Sequence, residues 1–473
     1  MRSTRKPRQQ YHIIWLWLFT AWMFCYIDRA ITGPTVSWMI ENKVAFLADA
    51  PMPYALAGII GSMFFAGYML TQYPAGRLGD RHGRKTMLVI SMLWASVTTL
   101  ASGFARSLES FVGLRVLTGL GEGAYYSNDR AMVAMTTPRE KRGMGMGVVF
   151  VGLAAGLTIA TVATPPLLSW AAENWGKEVA WSVPFLLFAP PTLLVGLGLH
   201  RYIRVREEGS SYRRGAGGLL LYSLPLFAVI MATYLITLEF RLSSLLQAAA
   251  VTIVALGLVA LIFRVRGTSS PALRSRNLLL MYISAVPILY TLWFFGFWAL
   301  MVVAESSNLG ISGAAVYAGL FGVANAIGYP LGGWLCDRSS AQGRGRKGMY
   351  IMLASGLAAA IGMLALSMAA GVGLLWTGSL LFLIGVLFSA MQTTHMTLTS
   401  DLAPPENLGE AFGMWNLVAE IGAVISPVLS GTLRDLTGSW TAAILLDAGL
   451  VFASVLLVLL VREPRQGRNP GIS

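Results

Sequence analysis

Charged residues are scarce in this sequence of 473 residues. Asp, Glu, Lys and Arg make up 12% of the chain and apolar residues 55%, whereas a soluble globular chain carries about 25% charged residues. Only two cysteines are present, which excludes a disulfide framework and a metal site built on cysteine spacing. The sequence also lacks a Gly-x-Ser-x-Gly motif and a phosphate-binding Gly-Lys-Ser/Thr loop. We therefore expect a membrane protein that is not an enzyme and holds no metal or other cofactor.

Long apolar runs occupy most of the chain and predict its fold class. A membrane-spanning helix needs about 20 mostly apolar residues, and runs of that length predict 14 spans. The expected fold is all-α and polytopic, with six-helix lobes at 1–203 and 277–473. A linker at 204–276 would contain two extra spans; a 12-helix fold with a hydrophobic surface hairpin is the alternative. The predicted spans are 13–40, 55–76, 86–104, 108–136, 143–169, 180–203, 217–237, 244–263, 277–303, 313–335, 348–370, 373–400, 408–432 and 439–461.

Basic residues are distributed asymmetrically between the connecting segments. Of the 35 Lys and Arg residues, 27 lie in the termini and alternate connections and five on the opposite side. The other three, Arg29, Arg115 and Arg130, lie within spans. Because cytoplasmic segments carry the excess of Lys and Arg, both termini are predicted to be cytoplasmic. The net charge of +13 is thereby explained by topology, and nucleic acid is not an expected partner.

One motif occurs twice. Residues 76–85 read Gly-Arg-Leu-Gly-Asp-Arg-His-Gly-Arg-Lys, whereas residues 333–347 begin Gly-Gly-Trp-Leu-Cys-Asp-Arg and end Gly-Arg-Lys. Parallel repeats of this kind are typical of two-lobed transporters. The motif resembles the signature loop of the major facilitator superfamily, which implies the two-lobed fold and transport by alternating access. The resemblance implies gating or structural roles for Gly76, Asp80, Arg81, Gly83, Arg84, Asp337 and Arg338.

Within that superfamily the chain resembles the anion:cation symporter branch, which includes sugar-acid permeases and sialin. The matching residues are Tyr26-Ile27-Asp28-Arg29, Tyr68, Gln72, Pro74, Gly76, Arg115, Glu122, Asn416, Pro427 and Gly431. This resemblance implies proton-coupled symport of a small organic anion, such as a sugar acid, by a protein of the bacterial inner membrane. Expected partners are that anion, protons and membrane lipid, and the chain is expected to be a monomer. An exporter or antiporter of drugs or lipids is the alternative, because several drug antiporters have fourteen helices.

Ionisable residues inside the spans are the main functional candidates, because charge at bilayer depth is costly unless it is paired or faces water. Arg115 and Glu122 are two helical turns apart and share a face, whereas the adjacent Asp28 and Arg29 point about 100° apart. We expect Asp28 to pair with Arg115, and Arg29 to bind a substrate carboxylate with its planar fork of donors. Proton coupling is assigned to Asp28, Glu122, Arg115 and Glu420, because a buried acid that loses its cation favours the protonated form. Structural ion pairing is the competing interpretation.

Polar residues on the same helices complete the expected site. Tyr68, Gln72, Tyr290 and Asn416 can hydrogen-bond the hydroxyl groups of a substrate, and we predict that they bind it together with Arg29.

Two further titratable residues lie in spans of the second half. His395 is interpreted as a hydrogen-bonded helix contact, and Asp447 is expected to reach the outer aqueous side.

A gate is predicted where the fourth span ends at the cytoplasmic side. Asp129 lies there, and we expect it to pair with Arg84 of the first signature loop. Asp80 is expected to lie against the N-terminus of the helix that begins near residue 408, where an anion is favoured by the helix dipole.

Overall fold

The chain folds almost entirely into α-helices. The computed structural model describes residues 10–138, 141–205, 207, 209–265, 275–307, 309–342, 345–371, 373–404 and 408–462, and these contain no β-strand. The basic N-terminus and most of the C-terminal tail lie outside the described residues. The helices are α1 (Gln10–Ala30), α2 (Thr32–Asn42), α3 (Pro53–His82), α4 (Arg84–Ser102), α5 (Leu108–Thr136), α6 (Arg142–Trp175), α7 (Lys177–Ala180), α8 (Val183–Tyr202), α9 (Tyr212–Glu239), α10 (Ser244–Val265), α11 (Arg276–Ser284), α12 (Val286–Ser307), α13 (Ile311–Ala341), α14 (Arg346–Ala369), α15 (Leu374–Leu402), α16 (Leu408–Thr437) and α17 (Thr441–Leu459).

Fourteen helical segments have the length of a membrane span, because α1 with α2, α7 with α8, and α11 with α12 each form one segment. Thirteen of them, within the described residues, are both long and apolar enough to cross a membrane. The fourteenth is α5, whose 29 residues suffice in length but include four charged side chains between Arg115 and Arg130. The predicted all-α, polytopic fold is confirmed, and the least apolar segment is the one that carries the charged candidates.

The first span is interrupted directly after Arg29. Helix α1 ends at Ala30 and α2 begins at Thr32, although the Ile31 amide still bonds the Ile27 carbonyl at 2.9 Å. Pro34 lacks an N–H to continue the helical pattern. The interruption therefore lies where the sequence places Gly-Pro, next to the charged pair of the first helix.

Helices from the two halves of the chain meet tightly at the end predicted to be external. A Cβ on Gly58 of α3 would lie 2.4 Å from the carbonyl oxygen of Pro427 in α16. The Asp435 carboxylate of α16 accepts a hydrogen bond from the Ala55 amide at 2.7 Å. Gly33 likewise lies against the backbone of Phe297 in α12. Only glycine permits such close backbone approaches, so this end of the bundle is closed.

The two extra helices pack on the outside of this bundle. Helix α9 contacts α3, α4 and α5, whereas α10 contacts α3 from the first half and α16 from the second. Many of their apolar side chains point outward; Leu221 is 74% and Ile253 is 69% exposed. Both helices are long and apolar enough to span a membrane, which favours two spans over a surface hairpin. The division of the chain into domains at 1–203, 204–276 and 277–473 stays a prediction.

The repeated sequence motif is also a repeated structure. Gly83 precedes α4 with a φ of 93°, and Gly345 precedes α14 with a φ of 70°. These values lie in the region that favours glycine. Both copies therefore use glycine to turn the chain sharply between two long helices.

We predict that Gly119→Ala lowers the midpoint of thermal unfolding, Tm, by several degrees in detergent. A Cβ there would lie 2.0 Å from the Phe64 carbonyl oxygen, and overpacking of this kind costs roughly 1–3 kcal/mol. Gly147→Ala is the matched control, because nothing lies within 4 Å of its Cβ position. Alanine is the better helix former by roughly 0.5–1 kcal/mol, so the control should keep or raise Tm. Equal shifts in the two variants would contradict the close packing of α3 on α5.

Candidate functional site

Two buried ion pairs connect the first span to α5. Arg29 Nε lies 2.6 Å from Glu122 Oε2, and Arg115 Nη1 lies 3.5 Å from Asp28 Oδ1. All four side chains are buried. The adjacent Asp28 and Arg29 diverge, as their helical geometry requires, and each meets a partner on a different turn of α5. The predicted Asp28–Arg115 contact is therefore present, and Arg29 has Glu122 as its partner.

The Asp28–Arg115 pair lies inside the packing of the first half. Asp28 Oδ1 also accepts a hydrogen bond from Thr99 Oγ1 at 2.5 Å. Arg115 Nη2 donates to Ser102 Oγ at 2.7 Å, and its guanidinium lies 5.1 Å from the centre of the Phe185 ring. Arg115 is fully buried and does not line the central cavity described below. These contacts fit a cross-link between α1, α4, α5 and α8.

A central cavity lies between helices of both halves. Its walls come from α1, α3, α5 and α6 on one side and from α12, α15 and α16 on the other. Arg29 and Glu420 are the charged residues among the described lining. Half of the lining is aromatic: Trp22, Tyr26, Tyr68, Tyr126, Phe150, Trp293 and Trp415.

Arg29 lines this cavity, and only part of its guanidinium is hydrogen-bonded. Its Nε is bonded to Glu122, whereas its Nη2 is buried without a hydrogen-bond partner. The guanidinium carbon lies 4.2 Å from the centre of the Tyr68 ring and 5.0 Å from that of Tyr26. Aromatic faces attract a cation, so these rings hold the group in place. Arg29 therefore has a donor, Nη2, that its contact with α5 does not use.

A carboxyl group of α16 lies next to two amides, one from α16 and one from α3. Asn416 Nδ2 donates to Gln72 Oε1 at 2.7 Å and lies 3.4 Å from Glu420 Oε1. The Gln72 amide is also close enough to interact with the Glu420 carboxyl, yet Gln72 Nε2 and Glu420 Oε2 have no hydrogen-bond partner. These three residues join α3 of the first half to α16 of the second. One donor atom, Gln72 Nε2, and one acceptor atom, Glu420 Oε2, have no partner.

Tyr290 does not lie where the sequence predicts. Its hydroxyl hydrogen-bonds Ser430 Oγ at 2.8 Å, inside the packing of α12 against α16, and the residue does not line the cavity. Trp293, three residues later, does line it and stacks on Tyr26 with ring centres 5.7 Å apart. Tyr290 is therefore turned away from the cavity, which α12 lines with Leu289 and Trp293, and its assignment to substrate binding stays a prediction.

Asp447 is also placed differently from the prediction. It is fully buried and accepts a hydrogen bond from Thr291 Oγ1 at 2.6 Å. The expected position at the outer aqueous side is wrong, because the face of α17 that carries Asp447 packs against α12.

His395 is a hydrogen-bonded helix contact, as the sequence analysis proposes. Its Nδ1 accepts from the Trp415 indole N–H at 2.8 Å, and its Nε2 lies 2.9 Å from Ser284 Oγ. An acceptor Nδ1 requires a neutral ring that carries its proton on Nε2. The imidazole thereby holds one of the aromatic cavity walls in position.

The predicted contact between Arg84 and Asp129 is not formed. Asp129 is fully buried; it accepts from the Trp22 indole N–H and pairs with Arg130 Nε at 3.1 Å. Arg84 pairs with Asp80 in the preceding turn. The expected Arg84–Asp129 pair is therefore wrong, because Asp129 already has enclosed partners of its own. Asp80 pairs with Arg84; its expected position against the helix that begins near residue 408 stays a prediction, because the three residues before that helix lie outside the described ones.

An acid that sequence reasoning missed caps the first signature loop. Glu207 accepts hydrogen bonds from the backbone amides of Arg84 at 2.8 Å and Lys85 at 3.1 Å. These are the first amides of α4, which have no partner within the helix. The long separation in sequence hides this contact. Of the other motif residues, Gly76 packs near Ser127, while Arg81, Asp337 and Arg338 are exposed.

The aromatic walls are a second feature that sequence reasoning missed. Trp22, Phe150 and Trp415 lie in mostly apolar helices, where an aromatic residue usually belongs to ordinary packing. Only the rotation of each helix about its axis distinguishes a cavity wall from a packed face, and the apolar pattern does not specify that rotation.

Known transporters resemble this chain in sequence and in fold. The D-galactonate transporter of Escherichia coli is 24% identical to the chain over 98% of both sequences. The 4-hydroxybenzoate transporter of Pseudomonas aeruginosa is 26% identical over 94% of this chain and 93% of its own. The crystal structure of a D-xylose-proton symporter shares the fold with a TM-score of 0.69 at 15% identity, covering 97% of this chain and 99% of that one.

The match to a protein family extends over nearly the whole chain. Residues 18–414 and 288–472 match the Major Facilitator Superfamily, and the spans, the repeated loop and the central cavity agree with that match. This chain is an integral membrane protein and belongs to the Major Facilitator Superfamily of transporters.

Proposed function

We propose that the protein imports a small organic anion together with protons, by alternating access. The observation that carries this proposal is the position of Arg29. One side of its guanidinium is bonded to Glu122, and the other is unpartnered in a cavity that both halves enclose. The D-galactonate and 4-hydroxybenzoate transporters, similar along most of the chain, are named for organic acids, which supports an anionic substrate.

The Arg29 guanidinium, for which Glu122 and the substrate would compete, can couple substrate binding to proton binding. An incoming carboxylate competes with Glu122 for Arg29, since a guanidinium bound to two anions divides its charge between them. Glu122 also lies within electrostatic reach of the Asp28 carboxylate. If Arg29 turns toward the substrate, Glu122 is left buried beside a like charge, and both conditions favour a bound proton. Substrate binding and proton binding would then occur together, with a proton gradient in place of a resident cofactor.

Alternating access is supported by where the two halves touch. Gly58 against Pro427 and Gly33 against Phe297 close the end predicted to be external. At the other end Arg84 pairs with Asp80, and Arg346 lies 3.7 Å from Asp337, so each of these ion pairs stays within one half. This arrangement fits a state closed to the outside. With the excess of Lys and Arg in the cytoplasm, both termini would face the inside of a bacterial inner membrane.

Uptake into proteoliposomes would test the proposal. Purified protein should accumulate radiolabelled galactonate or 4-hydroxybenzoate when the external pH is lower, and a protonophore should abolish that accumulation. Accumulation of a lipophilic cation driven by the opposite gradient would instead support the drug exporter. If the protein is stable in detergent but transports none of the organic acids tested, this result would contradict symport of an organic anion.

We predict that Glu122→Gln abolishes accumulation driven by a pH gradient but leaves counterflow exchange of substrate measurable. Glutamine keeps the size of the side chain but cannot bind and release a proton. Glu305→Gln is the control, since Glu305 pairs with Arg434 at the closed end and should leave uptake unchanged. Equal loss of accumulation and exchange in Glu122→Gln would assign this residue to binding or folding.

We predict that Arg29→Lys weakens substrate binding by roughly tenfold or more, measured by displacement of labelled substrate. A lysine has a single nitrogen and cannot offer a substrate carboxylate the planar fork of donors of a guanidinium, and a hydrogen bond to a charged group contributes about 1.5–3 kcal/mol. Arg434→Lys keeps a cation in an exposed pair and should bind normally. Unchanged affinity in Arg29→Lys would remove this residue from the site.

A further inference from the structure

We infer that the preferred substrate is a flat aromatic carboxylate that carries a hydrogen-bond donor at a distance from its carboxylate. This inference rests on the proposed function and names a substrate class for the same cavity. It differs from the expectation of a polyhydroxylated sugar acid.

The walls of the cavity favour a ring over a polyol. Seven of the fourteen lining residues are aromatic, and Leu153, Leu289 and Met396 add aliphatic surface. Tyr26 and Trp293 stack across the boundary between the halves with an interplanar angle of 16°, which leaves flat faces beside the cavity. A sugar acid would bring several hydroxyl groups into these surroundings, where unpaired hydroxyls are costly to bury.

The uncharged amides of the lining each make a hydrogen bond within the protein. Gln392 Oε1 accepts from the Tyr329 hydroxyl at 2.9 Å, and the Asn416 amide donates to Gln72. A chain of hydroxyls would have to compete with these bonds for the oxygen of Gln392 and the nitrogen of Asn416. An aromatic ring needs no hydrogen-bond partner, because its faces pack against other rings.

Two buried atoms of the charged lining residues have no hydrogen-bond partner. Arg29 Nη2 is an unpartnered donor contributed by α1, and Glu420 Oε2 is an unpartnered acceptor contributed by α16. Buried polar groups are nearly always hydrogen-bonded, so each atom indicates a group that the bound substrate supplies. A carboxylate fits Arg29, and a hydroxyl or ammonium group fits Glu420. A simple aromatic acid without such a donor would leave the carboxyl group of Glu420 unsatisfied.

Binding measurements with four probes would test this inference. Benzoate, 4-hydroxybenzoate, 4-(aminomethyl)benzoate and galactonate differ in ring and donor, and their affinities can be obtained by calorimetry on the purified full-length protein. We expect benzoate to bind more tightly than galactonate. At least one donor-bearing ring acid should bind roughly tenfold more tightly than benzoate, as expected for one added hydrogen bond to a charged group.

Variants of Glu420 connect the donor preference to that residue. Glu420→Leu removes the acceptor, so it should bring the donor-bearing acids to within about twofold of benzoate, while benzoate binding itself persists and reports a folded cavity. Glu420→Gln keeps an oxygen but loses the charge; it should retain a preference for the hydroxyl and lose one for the ammonium group. The two variants therefore distinguish the two donors.

Several results would overturn the inference. Tighter binding of galactonate than of every ring acid would exclude an aromatic substrate while leaving organic anion transport intact. A donor preference that survives in Glu420→Leu would exclude Glu420 as its origin. If that variant does not fold, the order of affinities in the wild-type protein still decides the substrate class. Binding of none of the four acids would instead count against the proposed function itself.

Discussion

The contact between Arg29 and Glu122 is the constraint on which the centre of this protein depends. A guanidinium inside a membrane protein needs an anion or water, and here a carboxylate of α5 supplies the anion at 2.6 Å. The contact fixes α1 against α5 and turns the remaining donors of Arg29 toward the cavity. It also explains why α5 is the least apolar of the long helices: the cost of its charges is offset by those of α1.

The two halves stabilise their buried polar groups by different interactions. The first half uses opposite charges, with Asp28 on Arg115 and Arg29 on Glu122. The second half uses neutral hydrogen bonds, in which His395 connects Trp415 to Ser284. The first half thus contains fixed ion pairs, and the second half contains a neutral network. Glu420 of α16 lies near a cation of the other half, Arg29. The cavity is therefore asymmetric, although the helices around it repeat.

The sequence was informative where a short-range rule applied. Apolar length identified the spans, and helical spacing identified the divergence of Asp28 and Arg29, since both depend only on neighbouring residues. It failed where the rotation or proximity of distant helices decides. Tyr290 is turned away from the cavity face of its helix, and Asp129 is enclosed by Trp22 and Arg130. Glu207 caps α4 across more than a hundred residues of chain, which no local pattern reveals.

The position of α10 has a mechanical consequence. This helix touches α3 and α16, which belong to opposite halves and meet through glycine at the closed end. If one half rocked against the other, at least one of α3 and α16 would have to move along the surface of α10. The helix also lies on the bilayer side of that seam, so it screens the adjacent part of the crevice from acyl chains. A solute in transit would thus be directed along the pore axis and kept from escaping sideways into lipid.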